Sequence, residues 1–106
     1  MNPNFDNNRN IINSVKWEFM ELKKLPLSQT VFTTQEVVKE NATIHYLVCD
    51  QEGDIHASGT VQMTNENAMV ISIQQLLDID ATLANVNIEP NSRLFRATVA
   101  LDWGPF

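Results

Sequence analysis

Apolar residues recur first at helical and then at strand spacing along this chain, and the changes of period outline its elements. Between Asn10 and Lys24, the residues Ile11, Ile12, Val15, Phe19 and Leu22 fall on one face at a period of 3.6, which predicts an amphipathic helix. Lys23 and Lys24 suit its C-terminal dipole, and Pro26 stops it. Thr30 to Thr33 is β-prone. Thr33 and Glu36 then have capping-box spacing, which predicts a short helix to about Asn41 with Val37 and Val38 inward.

A hairpin is predicted next, over 43–61. Thr43 to Cys49 is rich in strand formers, Gln51-Glu52-Gly53-Asp54 is turn-like, and Ile55 to Val61 returns. A turn centred there pairs Cys49 with His56, Val48 with Ala57 and Tyr46 with Gly59. In that register Ile44, Tyr46, Val48, Ile55, Ala57 and Val61 form the core face, and His45, Leu47, Cys49, His56, Ser58 and Thr60 the other. Met63 to Asn67 is a polar loop, and a short strand over 68–71 follows. Ser72 and Gln75 repeat the capping-box spacing ahead of a helix that buries Ile73, Leu76 and Leu77. Asp80 caps a further turn, with Leu83 and Val86 inward, and Pro90-Asn91-Ser92 is a turn. The last strand is expected over 93–103, with Phe95, Ala97, Val99, Leu101 and Trp103 inward and Arg96 among the outward set.

The expected fold is therefore α+β: a small, mainly antiparallel sheet with an N-terminal helix and short helices packed on it. Met1 to Asn8, with four asparagines and a proline, reads as a flexible arm, leaving 9–106 as one domain. The one cysteine, Cys49, excludes an intramolecular disulfide. No basic-then-apolar leader is visible, and the apolar runs fall far short of the roughly 20 residues that span a bilayer. A cytoplasmic protein that does not engage membranes is expected. The formal charge of −6 disfavours phosphate backbones, so no nucleic-acid partner is expected either.

Candidate chemistry is sparse. His45, Cys49 and His56 share a face in the predicted register, but His45 and Cys49 would lie roughly 13 Å apart on one strand. No spacing completes a zinc site. Cys49 beside His56 offers a thiol–imidazole pair, although nothing marks an oxyanion hole. Gly53, Gly59 and Gly104 are too dispersed for a phosphate loop. The carboxylate pairs Asp78/Asp80 and Glu52/Asp54 read as a helix-end cap and a hairpin turn. No catalytic set, metal or cofactor is expected. Trp17 lies off the apolar stripe of its helix, where a tryptophan either packs under a loop or anchors a partner.

Several stretches carry a family resemblance: Val31 to Val38, Ile44 to Val48, Asp50 to Asp54, and Val70 to Asp80 with its Ser72-Ile73 and Leu76-Leu77-…-Asp80 pattern. Together with Pro90 and Trp103, the stretch of about 30–103 resembles a small bacterial domain-of-unknown-function family grouped with an immunity-protein family of polymorphic toxin systems. This chain departs from it at Ile55-His56-Ala57, where the family often has an aromatic-rich strand. The resemblance implies a stand-alone binding domain that neutralises a toxin; with no catalytic set in the chain, a non-enzymatic protein-binding domain is expected. Candidate contact residues are Trp17, Glu18 and Glu21, then His45, His56 and Ser58. The alternatives are a ligand-binding domain, thiol enzyme or sensor using Cys49 and His56, and a homodimeric structural subunit.

Overall fold

The computed structural model describes residues 20–106. Its elements in chain order are β1 (Met20–Glu21), β2 (Thr30–Thr34), α1 (Gln35–Glu40), β3 (Tyr46–Cys49), β4 (Ile55–Ser58), β5 (Ala68–Ser72), α2 (Ile73–Ile79), β6 (Asn87–Ile88), β7 (Ser92–Phe95) and β8 (Gly104–Pro105), with single 3-10 turns at Leu22–Lys24 and Ala81–Leu83. The fold is α+β. Six strands form a sheet in the order β5-β2-β4-β3-β7-β8, antiparallel throughout except between β2 and β4. β1 and β6 make a separate antiparallel pair.

Strands β2 to β5 bury residues on one common face. Val31 and Thr33 of β2, Leu47 and Cys49 of β3, Ile55 and Ala57 of β4 and Ile71 of β5 point inward. Val37 of α1, Ile73 and Leu76 of α2, and Leu22, Leu83 and Ile88 belong to the same apolar cluster, so both helices lie on that side.

Local chemistry accounts for the helix ends. At α2 the Gln75 N–H donates to Ser72 Oγ at 3.1 Å, and the Ser72 N–H donates to Gln75 Oε1 at 2.9 Å, the reciprocal box that the spacing predicts. Asp80 caps the next turn by accepting from the Thr82 N–H at 3.0 Å. The box expected at Thr33 and Glu36 does not form. α1 starts one residue later, behind Thr34, with no side-chain cap, because β2 carries both threonines into the core. Asn41 closes α1 with φ of 56°, a left-handed conformation that asparagine tolerates.

Three further expectations are corrected. The end of the predicted N-terminal helix is strand and 3-10 turn, since Met20 and Glu21 pair with Ile88 and Asn87, and the Leu22 and Lys23 N–H groups donate to Val86 and Ala84 carbonyls. Its residues 10–19 lie outside the described part of the chain. The hairpin register is one residue off: Cys49 faces Ile55, Val48 faces His56 and Tyr46 faces Ser58. Asp50 belongs to the loop, where its side chain accepts from the Glu52 and Asp54 N–H groups and Gly53 takes φ of 91°, and this longer loop turns β3 over. The last strand stops at Phe95. Arg96 turns inward, 2% exposed, and the chain leaves the sheet until Gly104 and Pro105 return to pair with Phe95 and Leu94. Val99 and Leu101 are exposed, not buried.

Candidate functional site

With both helices on the inner side, the outer face of the sheet is open among the described residues, and the register determines what it displays. One row across the strands reads Val70, Phe32, His56, Val48 and Arg93. The next reads Ser58, Tyr46, Phe95 and Gly104. Val70 is 64% exposed, Phe95 37% and Phe106 52%, which is high for large apolar side chains.

The rings on this face pack in two sets, one on each row. Phe32 and His56 stack at 5.2 Å between centroids, Tyr46 lies 5.1 Å from Phe95, and Phe106 meets Tyr46 edge-on at 5.4 Å. The Arg93 guanidinium sits 4.6 Å over the Phe106 ring, placing an exposed cation beside the aromatic group. His56 is held from a second side, its Nε2 lying 3.2 Å from Asp50 Oδ2. Burial alone would raise the Asp50 carboxyl, but hydrogen bonds from His56 and from the Asp54 and Glu52 N–H groups outweigh it and hold the group below its usual value. The Phe32–His56 pair is therefore fixed by stacking on one side and by the hairpin loop on the other.

Of the residues expected to make contacts, His56 and Ser58 lie on this face. His45 does not join them. Its Nδ1 lies 3.1 Å from the Arg96 carbonyl oxygen, and its N–H donates to the Ser58 carbonyl, so it ties β3 to the chain beyond β7. Glu21 belongs to the separate β1–β6 pair and lies 3.7 Å from Lys24. Trp17 and Glu18 fall outside the described residues.

The pairing of Cys49 with His56 is not formed. Cys49 is buried on the inner face opposite Ile55, whereas His56 points to the outer face. Burial pushes the Cys49 thiol up to about 11, with Asp50 and Asp54 adding to the rise. No cluster of three or more His, Cys, Asp or Glu able to hold a metal occurs among the described residues. Asp78 accepts from Gln74 Nε2 one helical turn away.

The second built feature is the buried Arg96. Its Nε donates to the Ile44 carbonyl at 2.9 Å and its Nη1 to Thr82 Oγ1 at 3.0 Å, while Nη2 pairs with the Asp80 carboxylate. The Trp103 ring lies 4.6 Å from the guanidinium. Burial opposes ionisation of Asp80, but hydrogen bonds from Thr82 and Arg96 prevail and keep its carboxyl below the usual range. Beside this group lies an open cleft of about 470 Å³ walled by Asn85, Asn87, Leu94, Arg96 and Trp103.

Sequence reasoning missed Phe32, Tyr46, Phe95, Phe106 and Arg93 as a surface. The signal was present in the strand residues themselves, because Phe32, Tyr46, His56 and Phe95 share one face once β3 is shifted by a single position. No helix among the described residues is long and apolar enough to cross a membrane. No family model, curated protein or solved structure matches the chain.

Proposed function

We propose that the chain is a non-enzymatic protein-binding domain that engages its partner through the open face of the sheet. The observation that carries this reading is the display of two neighbouring aromatic sets, Phe32–His56 and Tyr46–Phe95–Phe106, on the face that bears no helix among the described residues, bordered by Arg93. Aromatic residues and arginine are the types enriched at protein interfaces and their energetic centres, and they bury large area at low entropic cost. The concrete form of the proposal is an immunity-type inhibitor in the bacterial cytoplasm that occludes a toxin's working surface. Its charge of −6 would speed encounter with a basic partner.

The test is stoichiometric capture of a partner from lysate of the source cells, compared between variants whose circular dichroism is unchanged. Phe32→Ala combined with Tyr46→Ala should abolish the capture, and Glu21→Ala should preserve it. Capture that survives the double substitution would move the contact surface elsewhere and overturn the assignment.

A further inference from the structure

The two edges of the six-stranded sheet are built differently. β8 ends one side with only Gly104 and Pro105, and proline offers no N–H to a neighbouring strand. β5 ends the other side with Ala68, Met69, Val70, Ile71 and Ser72, a five-residue apolar strand without proline or charge. Such an edge ordinarily invites another strand.

The hydrogen bonds show how far this edge is available. The Ile73 N–H donates to the Gln29 carbonyl and the Gln35 N–H to the Asn67 carbonyl, both continuing the register that pairs Val31 with Ile71 and Thr33 with Met69. Antiparallel pairs alternate between hydrogen-bonded and non-bonded, so the odd-numbered residues of β5 bond to β2 and the even-numbered ones face outward. Of the outward N–H groups, that of Ala68 donates to the Thr64 carbonyl at 2.9 Å, and that of Ser72 donates to Gln75 Oε1 at 2.9 Å. Only the Val70 N–H, at the centre of the strand, is left for a docking strand among the described residues.

We propose that the Ser72–Gln75 capping box doubles as an edge guard, keeping β5 from pairing antiparallel with β5 of a second copy. A two-fold pairing centred on Val70 sets Val70 against its counterpart and Ser72 against the other copy's Ala68. With the guard in place, each copy donates one hydrogen bond across the junction, from Val70. Releasing Ser72 adds a second donor two residues along, at the spacing that a ladder repeats. The box thus has two separable halves. Ser72 Oγ serves the helix by accepting from the Gln75 N–H, and Gln75 Oε1 serves the edge by occupying the Ser72 N–H.

This division supplies the experiment. Gln75→Ala and Ser72→Ala each delete one bond of the box, but only Gln75→Ala frees an outward N–H. Light scattering from micromolar to near-millimolar concentration should show Gln75→Ala rising from one chain toward twice that mass, while Ser72→Ala stays at the wild-type mass. Gln75→Glu keeps an acceptor and should behave as wild type. Adding Val70→Lys, a charge on the edge strand, should return Gln75→Ala to one chain. Should Gln75→Ala lose its fold, as judged by circular dichroism, hydrogen exchange of the wild type decides. Protection at Ser72 comparable with Ile71 supports the guard, and free exchange at Ser72 overturns it. A Gln75→Ala variant that stays at one chain, or a Ser72→Ala variant that associates equally, would also overturn the proposal.

Discussion

Cys49 illustrates how one position's neighbours decide its chemistry. It is buried opposite Ile55, and burial with Asp50 and Asp54 nearby lifts its thiol to about 11. An unperturbed cysteine near 8.5 is about one-quarter thiolate at pH 8, whereas a group at 11 is only about one part in a thousand ionised. Alkylation of the folded protein at pH 8 should therefore run at least about a hundredfold slower than that of the urea-unfolded chain. Equal rates would show that Cys49 is reached from solvent in the native state. The imidazole that the sequence places next to Cys49 instead stacks on Phe32, on the other side of the sheet.

At the scale of elements, what was legible and what was not divides by range. Strand β2, the loop at Gly53, the box at Ser72, the cap at Asp80 and the turn before Ser92 rest on residues within a few positions of one another, and each was readable. Register and direction were not. Ile44 to Cys49 is almost continuously apolar, so no alternation marks which of Leu47 and Val48 faces inward; the loop at Asp50 decides it through contacts with Glu52 and Asp54. Arg96 looked like an outward residue because its partners, Ile44, Asp80 and Thr82, lie 14 to 52 positions away. Of the three hairpin residues named from sequence, His56 and Ser58 lie on the open face and His45 does not, and the aromatic surface around them needed the corrected register. Gly59 offers a test at this scale. The expected pairing with Tyr46 is absent, since Tyr46 faces Ser58, and a Cβ at Gly59 would lie 2.7 Å from the Thr43 carbonyl oxygen, a backbone atom with little room to yield. Gly59→Ala should force the two ends of the hairpin apart and lower stability by about 1–3 kcal/mol in urea unfolding. An unchanged midpoint would mean that this crossing is loose.

Across the whole molecule, Arg96 and Asp80 link the chain beyond β7 to the end of α2, in a pair with side chains 2% and 15% exposed. Removing one partner of such a pair strands the other charge, so Asp80→Ala should cost about 3 kcal/mol at neutral pH. The pH dependence follows from the sign of the shift. The Asp80 carboxyl is lowered on folding, so its contribution is fully present above the unfolded value of about 3.9 and is lost as pH falls through the lower folded value. Wild-type stability should therefore be level with respect to this group near neutrality and drop below about pH 4. Asp80→Asn should be weaker at neutral pH and show a shallower acid limb, and an unaltered acid limb would assign the dependence to other carboxyls. A different consequence follows from the parallel junction between β2 and β4. β2 lies between β4 and β5, both of which come later in the chain, whereas β3 and β4 are joined by a short loop and are neighbours in the sheet. During synthesis the hairpin has all it needs once Ser58 has emerged, but β2, although made earlier, gains its second flank only after Ser72. Each of the inner strands β2 and β3 is thus made well before the strand that encloses it, β5 for β2 and β7 for β3.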